Sequence, residues 1–180
     1  MSEKKHVVPW VKKQSITIVA VSDVGNEPHA LRNVLEAFNY RVDIIWVGSR
    51  KEFIKILDGT IKTANYVILS THGVDEGITI PDEDEISPSE IAEKGKLSGK
   101  VILNTGCTTG KKVYGDAFIK GAKAKAYIAS TGAPSLPDVL IFTAHLFGEL
   151  HNLKKKPLKA AVKKARDYNK GTAMFKIFTK

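Results

Sequence analysis

Among the residues of this chain, His72 and Cys107 have side chains that together suggest covalent chemistry, and each ends nearly the same phrase. "VILSTHG" (67–73) and "VILNTGC" (101–107) are apolar runs followed by small polar residues; Cys107 is the chain's only cysteine. An imidazole beside a thiol favours a thiolate–imidazolium pair, because the imidazole's charge stabilises the thiolate. A helix expected over Val113–Ala122 follows Cys107, and its N-terminal end adds positive potential. Gly73 and Gly106 let the backbone approach a substrate, and N–H groups there can bind a developing oxyanion. Nucleophile, base and oxyanion donors are the parts of a cysteine acyl-transfer site. Taken singly, a Cys after a strand is often just a small buried residue, and a His there a structural one. A metal site is a weaker reading, since carboxylates such as Asp75 would have to complete it and no C-x-x-C or H-x-x-x-H spacing exists. "GCTTGKK" (106–112) is not a phosphate-binding loop. Three residues separate its glycines instead of four, and Lys112 stands where a Ser or Thr would bind Mg²⁺.

These residues need elements to carry them. "SITIVAVS" (15–22) reads as a buried strand, and "YRVDIIWVG" (40–48), "NYVILST" (65–71), "GKVILNT" (99–105) and "AKAYIAST" (124–131) read as the strands that follow it. "PHALRNVLEAFN", "RKEFIKILDG", "SPSEIAEKG" and "VYGDAFIKGA" lie between them with helical spacing. Ser87 is a candidate N-cap with Pro88 in the first turn. Helices at about 137–151 and 157–169 follow, and "TAMFKIF" (172–178) closes the sheet as a sixth strand. Alternating strands and helices with short joints imply a three-layer α/β/α sandwich around a mostly parallel sheet of about six strands. Numbered along the chain, the expected central order is 2-1-3-4-5. Ligands of such sheets sit beyond the carboxyl ends of the strands, where His72 and Cys107 both fall. If the third and fourth strands are neighbours, their tips lie roughly 5 Å apart.

The 180 residues, 43% hydrophobic, make one domain, with residues 1–14 as an N-terminal extension. A lone Cys points to a fold without disulfides and to a reducing, cytoplasmic setting. "MSEKKHVVPWVKKQ" lacks the roughly 7–15-residue apolar core of a signal peptide, and no run reaches the ~20 apolar residues of a membrane span. The net charge is +9, with much of the excess in "HNLKKKPLKAAVKKARDYNK" (151–170). That run reads as a solvated helix face, with nucleic-acid or anionic-membrane contact as the alternative, and no interleaved aromatics support single-strand binding. Gly73 to Glu93 is the reverse, with eight acids and no Lys or Arg.

The paired strand ends, His–Gly and then Gly–Cys, resemble the caspase-like cysteine peptidases: caspases, metacaspases, gingipains, clostripain, legumain, separase and CHAT domains. The resemblance runs from the first strand to the last. "GDAFIKGAKAKAYIASTGAPS" (115–135) is similar to the text after the nucleophile in gingipain and CHAT domains, and "AMFKIF" resembles the final CHAT strand. It implies a caspase–haemoglobinase fold with no cofactor, acting on a peptide or protein substrate. His72 would be the base and Cys107 the nucleophile, with the N–H groups of Gly73 and Cys107 as oxyanion donors. The caspase motif Q-A-C-x-G is absent, and the acid that metacaspases carry two positions before the Cys is here Thr105.

Two other classes compete. The opening "IVAVSDVGNEPHALRNVLEAFNYRVDII" looks like the start of glutamine-amidotransferase-like domains such as the ThuA group, a non-peptidase thiol hydrolase reading. Those domains place the nucleophile before the His, the reverse of the order here. The other class is an inactive interaction module on the caspase-like fold. For a peptidase, the candidate substrate-binding residues are Thr105 and Thr131 at strand tips, and Asp23 and Asp138 in the loops after the first and fifth strands. With "DEGITIPDEDE", the acids among them would attract Lys or Arg at P1, unless the carboxylates are merely solvated or bind Ca²⁺.

Overall fold

The computed structural model describes residues 14–152 and 157–180. The proposed extension therefore lies outside the described residues except for Gln14, and so do the lysines at 154–156 of the basic run. Parallel strands β1 (Ser15–Val21), β2 (Arg41–Val47) and β3 (Tyr66–Ser70) are joined by helices α1 (Glu27–Ala37) and α2 (Arg50–Leu57). After β3 comes a short antiparallel pair, β4 (Ile78–Ile80) and β5 (Glu83–Ile86), and then α3 (Pro88–Lys94). Strand β6 (Val101–Asn104) leads into α4 (Lys112–Asp116), which widens into a π-helical turn at Ala117–Gly121. The chain closes with β7 (Ala126–Ser130), α5 (Leu136–Asn152), α6 (Leu158–Arg166), α7 (Lys170–Ala173) and β8 (Phe175–Thr179).

The main sheet runs β2-β1-β3-β6-β7-β8, parallel except for β8, which is antiparallel to β7. This is the expected α/β/α sandwich, and the two strands bearing His72 and Cys107 are neighbours, with Leu69 opposite Asn104. The apolar runs of β1, β3 and β6 are continuous because both faces are covered, whereas the edge strand β2 alternates and leaves Arg41, Asp43 and Trp46 exposed. One face packs Val19, Val67, Leu69 and Ile102 against α2, α3, α4 and the hairpin's Ile78, Ile80 and Ile86. The other packs Ile16, Ile18, Ile68 and Leu103 against Leu31 and Leu35 of α1, Phe142 and Leu146 of α5, and Val162 of α6.

Caps set where the helices begin. The Ser87 hydroxyl accepts from the Glu90 N–H at 3.2 Å, with Pro88 in the first turn as expected. Three features were not expected. The β4–β5 hairpin sits inside the acidic stretch, with Ile78, Ile80 and Ile86 inward and its acids outward. The helix after Cys107 starts at Lys112 and changes pitch at Ala117. The last strand starts at Phe175, because a separate turn of helix, capped by Asn169, intervenes. Among the described residues, no helix is long and apolar enough to cross a membrane.

Candidate active site

Both candidate residues sit in short turns just beyond the strands that carry them. The ladder continues one step past β3, where the Thr105 N–H donates to the Leu69 carbonyl at 3.0 Å. Beyond that step the turns touch. A methyl group at Gly73 would lie 2.5 Å from the Cys107 carbonyl oxygen and 2.5 Å from Thr109 Cγ2. One at Gly106 would lie 3.2 Å from the Gly73 nitrogen and 2.6 Å from Thr71 Oγ1. Only hydrogen fits at either Cα, so glycine at both positions is a requirement of this close approach. Thr108, directly after Cys107, holds φ at +57°, a strained choice for a β-branched residue.

His72 is exposed, but one of its ring nitrogens is occupied. Nε2 lies 2.8 Å from the backbone carbonyl of Asp23, beyond the tip of β1. A carbonyl only accepts, so Nε2 carries the hydrogen in the neutral ring and the lone pair resides on Nδ1. The imidazole is thus oriented by one nitrogen and has the other available as a base. Cys107 is partly buried and in no disulfide.

Gly73 pairs with Ile78 in an isolated antiparallel bridge. The bonds of that bridge belong to its neighbours: Thr79 N–H to His72 O at 3.1 Å, and Val74 N–H to Gly77 O at 3.0 Å. The turn of Cys107 is held likewise by others. Gly106 N–H donates to Asn104 Oδ1 at 2.8 Å and Thr108 N–H to Gly132 O at 2.9 Å. Among the described residues the N–H groups of Gly73 and Cys107 have no acceptor. Side chains clasp the two turns together. The Tyr114 hydroxyl donates to Val74 O at 2.9 Å, and Lys111 pairs with Asp75, holding the Asp75 carboxyl below its ordinary range.

The four candidate substrate-binding residues have different surroundings. Asp23 lies at the site, but it is its backbone carbonyl that meets His72; its carboxylate accepts from Gly25 N–H at 3.2 Å. Thr105 is buried, and its hydroxyl donates to Glu27 Oε1 at 2.6 Å. Thr131 bonds the Met174 carbonyl through both its N–H and its hydroxyl, at 3.0 and 3.1 Å. The Asp138 carboxylate accepts from the Ser135 N–H at 3.1 Å and from Asn169 Nδ2 at 2.8 Å, capping α5 and tying it to α7.

Glu27 is the residue that the sequence did not single out. It opens α1, and its Oε1 accepts from Ser70 at 2.7 Å as well as from Thr105, so a half-buried carboxylate stands at the tips of β3 and β6. In the sequence it reads only as an acid in the first turn of a helix. Arg50 and the hairpin acids Asp82, Glu83 and Asp84 line a separate recess. Among the described residues, no three His, Cys, Asp or Glu side chains converge to hold a metal ion.

No protein-family model matches the chain, and no curated protein matches it in sequence. Solved structures do. A chain of the Saccharomyces cerevisiae separase–securin complex matches with a TM-score of 0.60 at 12% identity. That match covers 92% of this chain but only 12% of the other. The structure of drICE, a caspase, matches with a TM-score of 0.54 at 16% identity, over 93% of this chain and 88% of that one. The chain has the caspase-like fold.

Proposed function

We propose that this chain is a cysteine peptidase in which His72 activates Cys107 to cleave peptide bonds, with Lys or Arg preferred at P1. The observation that carries this reading is the contact between the two turns. Gly73 packs on the Cys107 backbone, beside an imidazole whose Nε2 is held by a carbonyl. In the proposed reaction the Cys107 Sγ proton passes to His72 Nδ1, and the thiolate attacks the substrate carbonyl. The oxyanion is received by the N–H groups of Gly73 and Cys107. Collapse of the tetrahedral adduct breaks the C–N bond, and the amine leaves with the proton from His72. Water, with His72 again as base, then cleaves the thioester and restores the thiol.

Glu27 supports the basic P1. Metacaspases carry an acid two positions before the nucleophile; here Thr105 occupies that position and its hydroxyl holds the carboxylate of Glu27. A carboxylate therefore arrives from α1 at a point where the local sequence has none. Both hydroxyls bond Oε1, and among the described residues Oε2 has no partner, which leaves it for a cation. Acids exposed on the hairpin add potential of the same sign. Within the superfamily, the text at 115–135 and the last strand favour a gingipain- or CHAT-type relative, working in the cytoplasm on a peptide or protein substrate.

The test is a library of short fluorogenic peptides varied at P1, run on wild type and Cys107→Ala. Cleavage after Lys or Arg that disappears in the variant is the expected result. Cleavage after Asp or Asn would remove the charge argument and leave the dyad. No cleavage, together with no labelling of Cys107 by a thiol-directed electrophile, would favour the inactive interaction module.

A further inference from the structure

Beneath the two turns lies a buried polar cluster for which the proposed chemistry has no direct use. Asn104, the last residue of β6, is fully buried, and Thr71, Thr109 and Tyr127 around it are buried as well. Asn104 Oδ1 accepts two hydrogen bonds, from the Thr71 hydroxyl at 3.0 Å and from the Gly106 N–H at 2.8 Å. Both lone pairs of that oxygen are then engaged. Thr71 immediately precedes His72, and Gly106 immediately precedes Cys107. A single amide oxygen thus grips the residue before the base and the residue before the nucleophile.

The rest of the cluster keeps that oxygen in place. Asn104 Nδ2 donates to the Tyr127 hydroxyl at 3.4 Å, and Tyr127 donates to the Thr109 carbonyl at 3.0 Å. Thr109 Oγ1 donates to the Gly106 carbonyl at 2.8 Å. These bonds close a ring around the turn that carries Cys107. Tyr127 is itself immobilised, stacked on Phe118 with ring centroids 4.2 Å apart. Rotating the Asn104 amide would break both Oδ1 bonds at once, leaving buried polar groups without partners.

We propose that Asn104 and Thr71 are positioning residues, whose shared hydrogen bond sets the spacing of His72 and Cys107. This rests on the reading of those two residues as base and nucleophile. Thr71→Val removes the hydroxyl while keeping shape, and Gly106 stays bonded to Oδ1. Thr71→Ser keeps the hydroxyl and is the rescue.

Iodoacetamide alkylation of Cys107 is followed from pH 5.5 to 9 in the folded protein and in urea, with Tm measured alongside. The expected result is a wild-type thiol faster than the unfolded one at pH 6.5. In Thr71→Val that advantage falls about 10-fold, with the pH profile displaced toward the unfolded one, while Thr71→Ser keeps the wild-type profile. Two outcomes overturn the proposal alone: a Thr71→Val profile like that of wild type, or a Thr71→Ser profile as displaced as that of Thr71→Val. A wild-type Cys107 no faster than in urea overturns the dyad, and the proposal with it.

Discussion

Replacing Gly73 by alanine tests the contact on which the site depends. The new methyl would stand 2.5 Å from the Cys107 carbonyl oxygen and from Thr109 Cγ2, where unstrained contact begins at 3.4 Å. One obstacle is backbone, so a side-chain rotation cannot relieve the overlap. The His72 and Cys107 turns must separate by about 1 Å, a displacement that costs about 10²-fold in rate when it falls between reacting groups. Overpacking of this kind destabilises by about 1–3 kcal/mol. At roughly 2–4 °C per kcal/mol for a chain of this size, Tm should fall by about 2–12 °C. The assays are thermal unfolding and Cys107 alkylation at pH 6.5. Gly48→Ala is the control, because its methyl meets nothing nearer than Glu52 Oε2 at 3.9 Å and should leave both readings unchanged. A Gly73→Ala protein with the Tm and the labelling rate of wild type would show that the turns do not touch, and the reasoning would fail.

Other expectations follow from single residues. Glu27→Gln keeps an oxygen for the Ser70 and Thr105 hydroxyls but removes the charge. The ratio of cleavage after Lys or Arg to cleavage after neutral residues should drop about 10-fold or more, and an unchanged ratio in the peptide library would remove Glu27 from the P1 site. Thr108→Gly relieves a β-branched residue at φ +57° and should raise stability by up to about 1 kcal/mol, read as a higher midpoint in urea. Tyr114 is pushed up to about 12, chiefly by burial and further by Asp75 and its neighbouring acids. The folded chain then holds this proton more tightly than the unfolded one. Its contribution to stability is complete below pH ~10 and disappears as the pH rises through about 12. Absorbance at 295 nm, wild type minus Tyr114→Phe, should show no phenolate at pH 10.5, and ionisation near pH 10 would refute the assigned burial.

The central strands β1, β3 and β6 were legible because burial on both faces writes them as unbroken apolar runs, and His72 and Cys107 drew notice because each follows such a run closely. The hairpin was hidden by its own acids. In "ITIPDEDEI" the inward residues are Ile78, Ile80 and Ile86, and the charges between them read as loop. Asp138 drew notice as a loop acid, although Ser135 three residues earlier spells a helix cap. Asp23 meets His72 through its backbone carbonyl, a contact that side-chain reasoning does not see. Glu27 joins Thr105 across 78 positions, and Asn104 joins Tyr127 across 23, so each pairing exists only after the sheet has assembled.

The central claim is that the fold makes Cys107 a nucleophile through His72, and the most direct measurement is the rate of Cys107 carboxamidomethylation at pH 6.5 by intact mass. An unassisted thiol is only about 1% thiolate at that pH. The folded wild-type protein should react at least about 10-fold faster than the same chain in urea, and His72→Ala, still folded by circular dichroism, should lose that advantage. Equal rates for the folded wild type, the unfolded chain and His72→Ala would contradict the account.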